Sequence, residues 1–239
     1  MVLRNFAVIE GCDGSGTTTQ LELLKRRLDY RVSSKEGPWE YPKRASGSFV
    51  AETESFYDSL ALFATAEPTQ GPVGLLIRRI LRGEEQAEKE TLARLFAADR
   101  TEHLYAPGGI VERCRRGELA VSDRYTPSSL VYQGLECGRE FAAALNDSFP
   151  LPELLVYLDI DPGTAMERIG NRGEKEIYEK ADFQARVREA YLGLLPDWEK
   201  EGVRILSLDG KQPAETLAND IWRAVTEMPI MQGSEKRSA

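Results

Sequence analysis

One histidine, His103, and three cysteines, Cys12, Cys114 and Cys137, are all the imidazole and thiol that this 239-residue chain carries. The cysteine count is odd and the spacings fit no ligand pattern. That excludes a disulfide framework and a zinc site and leaves free thiols in a reducing compartment. No apolar run approaches the roughly 20 residues that a membrane span requires. The stretch after Met1 runs into a strand without the shape of a signal peptide, so the expected location is cytoplasmic. A basic excess is missing too. The net charge is −8 with acids and bases intermixed, which argues against a nucleic acid polymer as the main partner and requires any phosphate site to be built from locally clustered arginines. A chain of this length can bury one substantial core, and α/β units of this size often form a single domain.

What the chain does have is concentrated between Asn5 and Gln20, NFAVIEGCDGSGTTTQ. Phe6 to Ile9 reads as a short buried strand that ends in a glycine-rich turn. Gln20 to Leu28 follows with Leu21, Leu24 and Leu28 on one helical face. Strand, glycine turn and helix are the context of a phosphate-binding loop. Glycines at 11, 14 and 16 open backbone conformations that aim successive N–H groups at an anion, and the helix adds its free N–H groups and positive dipole end. The phosphate-loop pattern is G-x-x-x-x-G-K-S/T, with lysine on the outer phosphates and the hydroxyl on magnesium. Gly11, Gly16 and Thr18 fit it, but Thr17 stands in the lysine position.

Ser33 to Asp58 mixes Gly, Pro, Ser and charge without a period and reads as an insertion. Its aromatics Trp39, Tyr41, Phe49 and Phe56 suit either a satellite cluster or a cover over a ligand. Leu60–Thr65 is the second expected strand, followed by a helix over Val73–Leu81 with Pro72 near its start. A long helix over Lys89–Tyr105 and a shorter one over Ile110–Arg116 lead to a third strand, Leu119–Ser122. Asp123, Arg124 and Tyr125 lie at that strand's carboxyl end, the side on which open α/β sheets bind ligands. A helix starts at Pro127. Leu154–Ile160 is a fourth strand, and Asp161-Pro162 caps the next helix. A charged segment with glycine, Arg168 to Lys180, precedes a helix over Asp182–Leu195. Val203–Leu208 is the fifth strand, Thr216–Val225 the last helix, and the chain from Pro229 reads as a polar tail. Five strands alternating with helices predict an α/β fold, a five-stranded parallel sheet with helices on both faces.

Four separated segments resemble thymidylate kinases: Phe6–Gly16 with its Thr-Gln ending, Glu67-Pro-Thr followed by Gly71–Arg78, Leu95–His103 (LFAADRTEH), and Asp123–Gly134 (DRYTPSSLVYQG). Tyr157–Pro162, Glu167–Gly173 and Tyr178–Phe183 add to this, and the resemblance covers the chain apart from the insertion and the tail. It implies one P-loop domain over residues 1–228, of the nucleoside-monophosphate kinase type, with a short lid over 168–181. It further implies transfer of the γ-phosphoryl of ATP to dTMP with Mg²⁺, usually by a homodimer. Carried over by position, the ATP phosphates would be wrapped by Gly11, Cys12, Asp13, Gly14, Ser15, Gly16, Thr17, Thr18 and Thr19, with Arg168 and Arg172 in the lid. Asp13 would meet the 3′-hydroxyl of dTMP, Arg78 and Arg124 its phosphate. Phe96 would stack on thymine and Arg100 hydrogen-bond it, with Ser128, Ser129 and Gln133 around the base. Tyr132 would sit against the deoxyribose. Thr18 and Asp123 would hold the metal, and Asp13, Thr17, Arg124 and Arg172 would form the catalytic group.

Those roles suit the chemistry, because phosphoryl transfer is positioning plus neutralisation of charge on the equatorial oxygens. Guanidinium forks fit phosphate two bonds at a time. Phe96 and Arg100 are four apart and share a helical face. Structural readings stay open beside them. Phe96 also fits a core stripe with Leu92 and Leu95, Arg124 a salt bridge to Asp123 or a neighbour, Arg168 and Arg172 a solvated surface, and Asp99 with His103 a local pair. Thr17 brings no charge, and Ala66 stands where many bacterial members have arginine before Glu-Pro. A lid cation (Arg172, Lys175 or Arg168) would then take over part of the lysine's work. A kinase for another nucleotide or nucleoside, or a nucleotide-binding protein without turnover, remains the alternative.

Overall fold

The computed structural model describes residues 1–27, 62–170, 178 and 181–235. The expected insertion, and Arg172 and Lys175 of the expected lid, lie outside the described residues.

Five strands, β1 (Val2–Gly11), β2 (Leu62–Ala66), β3 (Leu119–Asp123), β4 (Leu151–Asp159) and β5 (Arg204–Asp209), form one sheet in the order β2-β3-β1-β4-β5. Every pairing is parallel. The strands alternate with helices α1 (Thr17–Arg27), α2 (Pro72–Leu81), α3 (Lys89–Tyr105), α4 (Ile110–Arg115), α5 (Thr126–Cys137), α6 (Arg139–Asn146), α7 (Pro162–Gly170), α8 (Ala181–Lys200), α9 (Ala214–Thr226) and α10 (Pro229–Glu235).

Alternation within the strands divides the core into two layers. Ala7, Ile9, Val121, Leu154, Val156 and Leu158 face Leu21 and Leu24 of α1 and Ile221 and Val225 of α9. On the opposite face, Phe6, Val8 and Ala120 meet Leu104 of α3 and Ile110 of α4, while Leu155 and Tyr157 meet Val187 and Tyr191 of α8. Both faces are apolar because both are covered, as a parallel sheet requires.

The register sets the site. Ile9 lies beside Asp123, Ala66 beside Asp123, and Gly11 beside Leu158. The carboxyl ends of β1, β2 and β3 therefore finish level. The chain leaves β1 toward β2 on one side and returns through β3 to β4 on the other, so β1 sits where the winding reverses and a crevice opens.

Three differences from the sequence reading have physical causes. The helix expected to stop at Leu195 continues through Pro196 to Lys200, with Trp198 5% exposed beyond the proline; burying an indole offsets the missing N–H. The short helix α6 is a new element, entered through Gly138 at φ 97°. Pro229–Glu235 is a helix with Met231 buried against the core, where a polar tail was expected.

Candidate active site

The phosphate loop runs from β1 into α1, with the Ser15 N–H donating to the Cys12 carbonyl at 3.1 Å. Gly14 (φ 83°) and Gly16 (φ 100°) take the left-handed conformations that the tight turn demands. A Cβ on Gly14 would also meet the Ala165 carbonyl oxygen at 2.5 Å. Asp13, Gly14, Gly16, Thr17, Thr18 and Thr19 line a cavity of about 410 Å³. Gly11, Cys12 and Ser15 stand behind them as the loop's frame, all buried.

At the metal-side corner, Thr18 Oγ1 donates to Asp123 Oδ2 at 2.6 Å. Asp123 is 6% exposed, and its Oδ1 has no hydrogen-bond partner among the described residues. A buried carboxylate oxygen without a donor, beside a hydroxyl, is a hard-oxygen set of the kind Mg²⁺ accepts.

The same cavity takes in Arg78, Phe96, Arg100, Arg124, Ser128, Ser129, Tyr132 and Gln133. Arg124 adopts a left-handed backbone (φ 71°), uncommon for a non-glycine residue, with its N–H on the Ile9 carbonyl at 3.0 Å. Its Nη2 donates to Asp13 Oδ1 at 2.7 Å, and its Nη1 to the Gly11 carbonyl at 2.6 Å and Ser128 Oγ at 3.3 Å. Of the open alternatives for Arg124, the ion pair goes to Asp13. Burial works against the Arg124 charge. The surrounding acids, Asp13 and Glu10, with the phenols of Tyr132 and Tyr191, more than offset it and keep the guanidinium cationic.

Arg100 is 1% exposed. Nε and Nη2 both donate to Glu67 Oε2, at 2.9 and 2.6 Å, and Nη2 also reaches Ser129 Oγ at 3.1 Å. Nη1 donates to Asn146 Oδ1 at 2.5 Å, at the end of α6. The other Glu67 oxygen meets His103 Nδ1 at 3.0 Å, and His103 Nε2 meets Thr65 Oγ1 at 2.7 Å. Burial would raise the Glu67 carboxyl, but Arg100 and His103 outweigh it and hold it below the usual range. Asp99 accepts from the N–H and hydroxyl of Thr69, at 2.7 and 2.5 Å. Asp99 and His103, read as a local pair, thus each bind the loop after β2. Phe96 is half-buried, packed against the second core layer and open to the cavity. Arg78 bonds the Pro68 carbonyl and lies 3.5 Å from that of Thr69. Arg168 donates to the Gly210 carbonyl at 3.0 Å, beyond β5.

The sequence reading missed a buried layer behind this wall. Glu10, fully buried at the end of β1, accepts at Oε1 from the N–H groups of Tyr125 (2.9 Å) and Ser128 (3.3 Å). Its Oε2 accepts from Ser128 Oγ and the Tyr191 hydroxyl, both at 2.8 Å. Glu10 therefore caps α5 across the fold, where the N-cap residue Tyr125 contributes no side-chain bond. Burial raises its carboxyl to about 7, against the opposing pull of Arg124 and of the bonds from Ser128, Tyr191 and Tyr125. The one sequence signal was an acid closing an apolar strand.

Comparison with known proteins gives the family. The family profile described as thymidylate kinase matches residues 53–221. The chain belongs to the thymidylate kinase family. Relatives whose names carry the words thymidylate kinase include one from Treponema pallidum, 34% identical over 95% of this chain and 97% of the relative. One from Aeropyrum pernix is 36% identical over 84% of each chain, and one from Methanococcus maripaludis 33% over 94% and 96%. The family match begins at residue 53, so the phosphate loop with Thr17 lies before it.

Proposed function

We propose that this thymidylate kinase family member transfers the γ-phosphoryl group of ATP to the 5′-phosphate of dTMP, giving dTDP and ADP. The observation that carries the reading is a single cavity lined both by the phosphate loop and by Phe96, Arg100 and Arg124. An anion cradle and an arginine-lined acceptor pocket facing one space are what an in-line transfer between two phosphorylated ligands needs.

The loop amides receive the ATP phosphates, and Thr18 and Asp123 would hold Mg²⁺, which supplies neutralisation of the donor phosphate charge. Arg124, anchored by Asp13 and Gly11, presents its guanidinium to the acceptor phosphate. Arg78 flanks it from α2. Phe96 offers a stacking face for the base, and the Arg100 fork, fixed by Glu67, sits one helical turn further on beside Ser129 and Gln133. Tyr132 packs over Arg124, with the guanidinium carbon 5.6 Å from the ring centre, and closes the sugar side. Part of the charge that Thr17 lacks would come from a lid cation, Arg172, Lys175 or Arg168. A homodimer in the cytoplasm belongs to this reading. Among the described residues no helix is long and apolar enough to cross a membrane.

A product-identified assay with Mg·ATP against dTMP, dUMP, UMP, CMP and thymidine tests the assignment. It predicts dTDP as the fastest-formed product. ATP left unconsumed with dTMP, or another acceptor used faster, overturns it. Sedimentation of the full chain tests the dimer, which requires twice the chain mass.

A further inference from the structure

The described residues that line the cavity carry three guanidinium groups, Arg78, Arg100 and Arg124, and three carboxylates, Asp13, Glu67 and Asp123. The lining is therefore formally neutral. On the proposed function it takes in two phosphorylated nucleotides, whose charge one Mg²⁺ offsets only in part. Each guanidinium is already engaged: Arg100 is paired with Glu67, Arg124 with Asp13, and Arg78 bonds the Pro68 carbonyl. The shortfall falls on the donor side, where the side chains of the loop that line the cavity after Asp13 are hydroxyls.

Thr17 opens α1 on that side. It is 6% exposed, lines the cavity, and its hydroxyl takes part in no side-chain hydrogen bond among the described residues. Its neighbour differs, since Thr18 Oγ1 donates to Asp123 Oδ2 at 2.6 Å. A buried hydroxyl without a partner, facing a phosphate-binding space, has one proton and two lone pairs to offer. The proton can serve a phosphate oxygen. The lone pairs cannot, because phosphate oxygens are acceptors too, and they remain for a cation.

The chemistry of that oxygen limits the ion. Mg²⁺ demands near-ideal octahedral geometry and is held through carboxylates, and the described residues contain no group of three or more His, Cys, Asp or Glu that could hold a metal. A large monovalent ion instead exchanges its hydration water for neutral oxygens. Lysine carries its charge at the end of a four-carbon stem, and an ion one metal–oxygen contact beyond Oγ1 reaches toward the same space. The positive end of α1 opposes a bare cation there, so the ion arrives with the donor phosphates.

We propose that Thr17 is a ligand for a monovalent cation of the potassium kind, which bridges its hydroxyl to the donor phosphates and supplies part of the charge a lysine would bring. The inference rests on the ATP half of the proposed function and leaves the remainder of that charge to the lid.

The test compares KCl with tetramethylammonium chloride at equal ionic strength, so that screening is constant and only an ion able to take oxygen ligands is exchanged. Two readouts are taken on the full chain at saturating Mg²⁺: turnover of ATP with dTMP, and calorimetric affinity for a non-hydrolysable ATP analogue. In the wild type, K⁺ is expected to raise turnover by about tenfold, below the 10²–10³ of a fixed stabiliser because the ion is exchangeable, and to tighten the analogue several-fold. Thr17→Val keeps the shape and removes the oxygen, while Thr17→Lys tethers a charge in its place. Both variants are expected to respond to K⁺ by less than about twofold, with Thr17→Lys faster than the wild type in either salt. A wild type indifferent to K⁺ in both readouts overturns the proposal. A K⁺ response that survives in either variant also overturns it, by placing the ion elsewhere. If dTMP is not the acceptor, the K⁺ dependence of analogue binding still decides this inference, so its failure and that of the dTMP reading are told apart.

Discussion

The two banks of the cavity are built by opposite means. The acceptor bank is made of charge held by charge: Arg100 by Glu67, Arg124 by Asp13, with Glu10 tying the start of α5 behind them. The donor bank is made of backbone and hydroxyls: glycine turns, loop amides, Thr17, Thr18 and Thr19. Charged side chains held in place lose little freedom when a ligand arrives, so the acceptor bank is pre-organised for a phosphorylated ligand. The donor bank presents N–H groups and a helix dipole, which bind an anion but add no full charge as the transferred group moves. On the proposed reading, the acceptor nucleotide meets charges already held in place, while the donor side draws on added cations.

That contrast can be broken at its strongest point first. Glu67→Ala leaves Arg100 buried without its carboxylate, and loss of one member of a buried pair costs about 3–5 kcal/mol. For a chain of this size the expected fall in Tm is roughly 10 °C or more, readable by calorimetry. A fall within about 2 °C would mean the acceptor bank is not held by this pair. Next, Arg124→Ala is expected to lower kcat/KM for dTMP by about 10²–10³ in steady-state kinetics, since it removes a fixed donor to the acceptor phosphate. A loss confined to the KM for ATP would place Arg124 on the other bank.

The third prediction concerns pH. The folded-state carboxyl of Glu10 lies near 7, above its usual 4.5. The folded state therefore binds a proton that the unfolded state has released between those values, and stability from this group is lost as pH rises from about 4.5 through about 7. Chemical denaturation from pH 5 to 8 should show a decline of about 3 kcal/mol from this source, which Glu10→Gln flattens. An unchanged slope in the variant would assign the decline elsewhere.

How much of this could be read from the chain follows from where each partner lies. The phosphate loop was visible because a tight anion-binding turn needs glycine at fixed places, and those places are adjacent in sequence. Phe96 and Arg100 were named through the resemblance to thymidylate kinases, and helical spacing agreed with it by putting them on one face. Arg124 was visible as a charged residue after a buried strand, but its partner Asp13 lies 111 residues away, and nothing local chose it over Asp123. Gln184 and Tyr191 were hidden for the same reason, at 171 and 181 residues from the acids they bind. Tyr191 also lies in register with Phe183 and Val187 along α8, where an apolar stripe hides the separate role of its hydroxyl. Helix α6 was missed because eight residues give too little periodicity, and its Asn146 contact to Arg100 was missed with it.

The most direct test of the difference between the banks is Thr17→Lys, followed by both turnover and dTMP affinity. Restoring an ammonium on the donor side should raise kcat by about tenfold or more, up to the 10²–10³ that such stabilisers supply, and leave the Kd for dTMP within about twofold. An unchanged kcat would show that the donor bank already carries its full charge, and a large shift in dTMP affinity would show that the banks are not separate; either result contradicts the account.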